Sequence, residues 1–114
     1  MNYHETEKFV LIGAKLYAVS NYGRVINMKT RKFITPEITH NGYERVILRN
    51  SRGIQVHYLV HRLVASLFIP RPPECTQIHH IDGNKRNNHV DNLLWIAPSK
   101  HHKTHRIIKK FRLM

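Results

Sequence analysis

Residues 76–96 read TQIHHIDGNKRNNHVDNLLWI. The first six residues have the look of a short strand, Asp82-Gly83 is a turn signal, and NLLWI is a return strand. Side chains alternate along a strand, so His79 and His80 point to opposite faces. In a hairpin packed on a helix only one of the pair can face the core, and different tasks are expected of them. One can bind a metal while the other moves a proton, since a neutral imidazole titrates near pH ~6.5. Asp82 and Gly83 read as turn formers, and Asn87 and Asn88 as amides that satisfy loop backbone. Pro98 fits the first turn of a further helix carrying SKHHKTHRIIKKFR. His101 and His105 are four apart there, a spacing that can offer two imidazoles to one metal. The segment therefore predicts a ββα unit. The plainer reading, a polar surface hairpin with spare histidines, stands beside it.

Working outward, LVHRLVASLFI at residues 59–69 changes period: Val60, Leu63, Val64 and Leu67 form an apolar helical stripe, and PRPP at 70–73 stops it. His61 is expected to pack or bond locally, and Arg62 to reach a phosphate or an ion pair. Residues 16–58 hold short strands, LYAV, RVIN, YERVILRN and IQVHY, separated by turn residues such as Asn41-Gly42 and Ser51-Arg52-Gly53. In YERVILRN, Tyr43, Arg45, Ile47 and Arg49 share one face and Glu44, Val46 and Leu48 the other. Trp95 is expected in the core. The fold class expected is α+β in one compact domain. A β-rich antiparallel module (residues 1–58) is followed by a helix and connector (59–73) and the ββα unit (74–110).

Charge narrows the partner. Nineteen Lys and Arg face seven Asp and Glu, a formal +12 with an isoelectric point near 10.4. Such a chain favours polyanions through counterion release, so nucleic acid is the expected partner. No apolar run approaches the roughly 20 residues that span a bilayer, and MNYHETEKFV lacks a signal-peptide core. No membrane partner is expected, and the expected location is cytoplasmic. One cysteine, Cys75, excludes an intramolecular disulfide and a cysteine-rich zinc finger. Any metal would be held by His, Asp, Asn or water.

His80, Asn92 twelve residues on and His101 nine further together resemble the HNH (His-Me finger, ββα-metal) endonucleases. The run HHIDGNKRNNHVDNLLWIAPS is similar to the version in phage-type homing endonucleases, and YAVSNYGRVIN, NGYERVIL and VHYLVHRLVASLF resemble the β-rich module that precedes it. The resemblance covers roughly residues 10–105. It implies a metal-dependent DNA endonuclease, borne by a phage or mobile element and active in the host cytoplasm. By position, His80 matches the general base and His79 the metal ligand before it. Asn92 matches the asparagine that braces the loop and helps orient His80, and His101 matches a second metal ligand. His105 sits where some relatives place a third imidazole. One divalent ion is implied, Mg²⁺ or Mn²⁺ for catalysis, while histidine at 79 and 101 leans the site toward Zn²⁺ or Ni²⁺ in affinity. Arg45, Arg49, Lys85, Arg86, Lys103 and Arg106 are the expected DNA contacts. A monomer would nick, and a homodimer could cut both strands. Two rivals remain: a non-catalytic DNA-binding module whose histidines hold a structural zinc, and an RNA-binding protein of ribosomal type.

Overall fold

A computed structural model describes residues 6–98. Among the described residues, nine short strands form three antiparallel sheets around one α-helix. The first sheet is a meander of β1 (Phe9–Ile12), β2 (Tyr17–Ser20), β3 (Val25–Asn27) and β4 (Lys32–Phe33). The second contains β5 (Glu37–Ile38), β6 (Glu44–Arg49) and β7 (Gln55–Leu59), with Ile47 opposite His57. Strand β7 runs directly into α1 (Val60–Phe68). The third sheet is the hairpin of β8 (Gln77–His80) and β9 (Leu93–Ile96), where His80 pairs with Leu93 and Ile78 with Trp95.

Helix α1 holds the three sheets together. Its buried Val60, Val64 and Ala65 meet Val19 and Val25 of the first sheet, Val46 and Leu48 of the second, and Leu93 and Trp95 of the hairpin in one core cluster. Each of these valines and leucines contributes roughly 1.5–3 kcal/mol on full burial. Two hydrogen bonds tie the layers further. The Arg49 backbone N–H donates to the Tyr17 hydroxyl at 3.0 Å, and the Trp95 indole N–H donates to the carbonyl of Ile69 at the end of α1 at 3.1 Å.

The expected α+β class holds, and the alternation in β6 is as read: Val46 and Leu48 are buried, Ile47 and Arg49 exposed. Strands β1, β4 and β5 come in addition. The return strand begins at Leu93 rather than Asn92, because Val90–Asn92 closes a 3₁₀ turn. The expected final helix, with His101, Lys103, His105 and Arg106, lies outside the described residues. Among the described residues no helix is long and apolar enough to cross a membrane.

One contact between layers bears on the site. The β2–β3 turn docks on the loop that precedes β9: Val90 N–H donates to Asn21 O at 2.8 Å, and the Tyr22 ring stacks on His89 at 4.8 Å. Gly23, at φ +87°, lies so close that a Cβ there would be 2.9 Å from the carbonyl oxygen of Asn88. Both the left-handed backbone and the close approach require glycine.

Candidate active site

The β8–β9 hairpin gathers the candidate site residues at its loop end. Its loop is closed by side-chain amides rather than by a ladder. Asn92 is 2 % exposed; its Oδ1 accepts from Asp82 N–H at 3.0 Å, and its Nδ2 donates to Asp82 Oδ1 at 2.9 Å and Asn87 O at 2.8 Å. The Asn92 carbonyl accepts from Ile81 N–H at 2.8 Å. Asp82 also accepts from Asn84 N–H and from the Asn87 amide. The Asn87 amide first, then these backbone and side-chain donors, hold the Asp82 carboxyl below its ordinary value. Asn92 thus fixes the two residues that follow His80.

The amide that meets His80 is a different one. His80 is 6 % exposed, and its Nε2 lies 2.8 Å from Oδ1 of Asn88, which is 3 % exposed. The other end of the Asn88 amide, Nδ2, donates to Oε1 of Glu44 on β6 at 3.0 Å. Asn92, expected to brace the loop and help orient His80, contacts Asp82 and Asn87 in the loop, while Asn88 is the amide that meets the ring. The turn at Val90–Asn92 is the reason, since it directs Asn92 back toward Asp82.

His80 sits in a small aromatic group. The ring of His61, the second residue of α1, is 5.1 Å from it, and Tyr43, just before β6, stacks on His61 at 4.9 Å and lies 6.1 Å from His80. Tyr43, His61, His79, His80 and Lys85 border a cleft of about 500 Å³ open to solvent. His79 is half-buried on β8. His61 is 6 % exposed, and its Nδ1 is buried with no hydrogen-bond partner. Burial first, then the nearby His80 and Arg62, push His61 down from 6.5 to about 4. Its native pKa lies below its unfolded one, so the unfolded chain binds the extra proton between them. Stability is expected to fall as pH drops from about 6.5 toward about 4, by on the order of 3 kcal/mol. Urea midpoints across that range check this, and in His61→Phe the fall should shrink. An unchanged pH slope in that variant would count against it.

The expected DNA contacts have partners within the protein. Arg45 Nε donates to Glu37 at 2.6 Å, and Arg49 donates to Gly53 O at 2.8 Å. Lys85 Nζ donates to Asn41 O at 2.8 Å and stands 4.7 Å over the Tyr43 ring, so it folds back along the cleft. Arg86 Nε is 4.0 Å from Glu44. Arg62 donates to Thr76 O at 3.4 Å and lies 5.9 Å over Trp95. Lys103 and Arg106 fall outside the described residues.

Sequence reasoning missed Asn88, Glu44, Tyr43 and His61 as parts of the site. A signal existed for Glu44, which shares the face of β6 that carries the buried Val46 and Leu48. A carboxylate on such a face needs a polar partner. His61 lies on the buried stripe of α1 with Val60, Val64 and Ala65.

Two family models match this chain in succession. Residues 58–103 match the family model described as HNH endonuclease, and residues 5–49 match the NUMOD4 motif. The chain is 34 % identical over 84 residues to the uncharacterized HNH endonuclease L245 of Acanthamoeba polyphaga mimivirus, covering 74 % of this chain and 25 % of that protein. It is 38 % identical over 82 residues to DNA endonuclease I-HmuI of Bacillus phage SP01, covering 71 % of this chain and 46 % of that one. The solved structure titled "DNA binding and cleavage by the HNH homing endonuclease I-HmuI" superposes with a TM-score of 0.76 at 30 % identity, over 90 % of this chain and 59 % of that chain. The chain thus spans a quarter to about half of the length of these two curated relatives. With a NUMOD4 motif ahead of a hairpin whose loop end gathers His80, Asn88 and Asn92, the chain carries an HNH endonuclease family domain and is similar in fold to an HNH homing endonuclease.

Proposed function

We propose that the chain is a metal-dependent DNA endonuclease of the HNH homing type, with His80 as the general base that activates water for attack on a phosphodiester. One observation carries the reading: the buried His80 ring is held by its Nε2 against an amide oxygen, Asn88 Oδ1, at 2.8 Å. An amide oxygen only accepts, so Nε2 bears a proton, and in the neutral ring Nδ1 keeps the lone pair. A neutral imidazole fixed in one tautomer is what proton abstraction from water needs. Asn92 supports this by fixing Ile81 and Asp82 on the loop. Phosphate contacts are assigned to Arg45, Arg49, Lys85, Arg86, Lys103 and Arg106, and the charge of +12 supports DNA as the partner.

No group of three or more His, Cys, Asp or Glu able to hold a metal occurs among the described residues. These residues contribute one imidazole ligand, His79, beside the base and on the same cleft. The donor set fits a single ion only when His101 and His105, outside the described residues, complete it. A divalent ion so bound would neutralise charge on the scissile phosphate and on the leaving 3′ oxygen. The nitrogen-rich set favours Zn²⁺, Ni²⁺ or Mn²⁺ in affinity, with Mg²⁺ or Mn²⁺ as working ions. The products are a 5′ phosphate and a 3′ hydroxyl. A monomer nicks and a homodimer cuts both strands, in the host cytoplasm if the gene is phage-borne.

Supercoiled plasmid incubated with purified protein and Mg²⁺, Mn²⁺, Ni²⁺ or Zn²⁺ is expected to convert to open circles, with EDTA abolishing the conversion. Absence of cleavage under every metal, together with unfolding on chelation, would replace the enzyme by a DNA-binding module with a structural zinc.

A further inference from the structure

We infer that Glu44, on β6 within the NUMOD4-matched part of the chain, is a positioning residue for the base: through Asn88 it fixes which nitrogen of His80 carries the proton. The inference rests on the reading of His80 as the base. It starts from the relay already described, Glu44 Oε1 to Asn88 Nδ2 at 3.0 Å and Asn88 Oδ1 to His80 Nε2 at 2.8 Å.

The two ends of an asparagine amide are nearly the same size, so shape alone does not choose between them. Turned one way, Asn88 presents its oxygen to His80 and requires Nε2–H. Turned the other way, it presents N–H to Nε2, and the proton moves to Nδ1, the nitrogen the base needs bare. Glu44 breaks the tie. A carboxylate offers only lone pairs, so the Asn88 group that faces it must be the NH₂. The oxygen then faces His80, and the tautomer follows.

The rest of the surroundings leave this choice to Glu44. The Asn88 backbone is fixed by the close approach of Gly23, which sets where the amide stands but not which end points where. Tyr43 and His61 pack on His80 through their rings and supply a wall rather than an acceptor. Arg86 Nε, at 4.0 Å from Glu44 Oε2, lies on the far oxygen and leaves Oε1 to Asn88.

The test separates the tautomer from the cleavage. Long-range ¹⁵N spectra of His80, followed as a function of pH and read where the spectra themselves show a neutral ring, should show one Nε2–H tautomer in the wild type. Glu44→Ala should show a mixture, with kcat for nicking reduced about 10- to 100-fold and KM unchanged. Glu44→Met keeps bulk without a carboxylate and should behave alike, so poor folding of the alanine variant does not end the test. Adding Asn88→Asp to Glu44→Ala places an acceptor-only group directly on His80. That double variant should regain the single tautomer and most of the rate, which a merely structural role for Glu44 would not produce. A single Nε2–H tautomer retained in both Glu44 variants overturns the inference, as does a mixture already present in the wild type. A wild-type protein that nicks nothing removes the nuclease reading instead, while the spectra still decide what Glu44 does to His80.

Discussion

His80→Ala is expected to slow metal-dependent nicking of supercoiled plasmid by about 10²- to 10⁴-fold. The alanine removes the only imidazole that the amide relay holds by a ring nitrogen among the described residues, and no neighbour can take its place. His61, 5.1 Å away, has its Nδ1 sealed from solvent, and His79 is the residue assigned to the metal. The variant also leaves Asn88 Oδ1 without its partner, so a circular dichroism spectrum and a DNA gel shift should accompany the rate. Near-native spectra and DNA binding with nicking lost would place the defect in the chemical step. Equal nicking by the two proteins would remove His80 as the base.

Trp95→Ala is expected to cost about 3–5 kcal/mol of stability, enough to unfold much of a domain this small. Trp95 is 7 % exposed and sits in the core cluster where α1 meets the hairpin. Its indole N–H holds the carbonyl of Ile69 at the helix end, so the substitution opens a cavity and also frees a terminal acceptor of α1. The chain has one tryptophan, so urea unfolding would be followed by circular dichroism rather than by indole emission. A loss below about 1 kcal/mol, the size of an ordinary surface change, would mean that the hairpin is held to α1 by something else.

Much of this architecture was legible. Turn residues marked both long hairpins, the 3.6-residue stripe located α1, and alternation sorted the residues of β6 onto its two faces. Strand β1 was not legible because FVLI is a bare apolar run whose faces are exposed and half-buried in turn, with no turn pair to frame it. The candidate site was legible as histidines at the end of β8 and asparagines of the loop that follows. Which asparagine meets His80 was not, because that depends on a 3₁₀ turn and on partners far away. Asn88 is placed by Glu44 and Gly23, neither near it in the chain, and spacing within the loop carries no information about either. The ligands expected at His101 and His105 lie outside the described residues.

The relay from Glu44 also has a consequence for when the protein can become active. Its hydrogen bond to Asn88 and the one from Lys85 to Asn41 each join residues 44 positions apart, across the whole of β7, α1 and β8. Contacts of such separation are closed only after the intervening chain has been ordered, because loop entropy must be paid first. A nascent or half-folded chain therefore has its histidines but no oriented base among them. On the proposed reading of His80 as the base, competence to cleave would arrive with completed folding rather than before it.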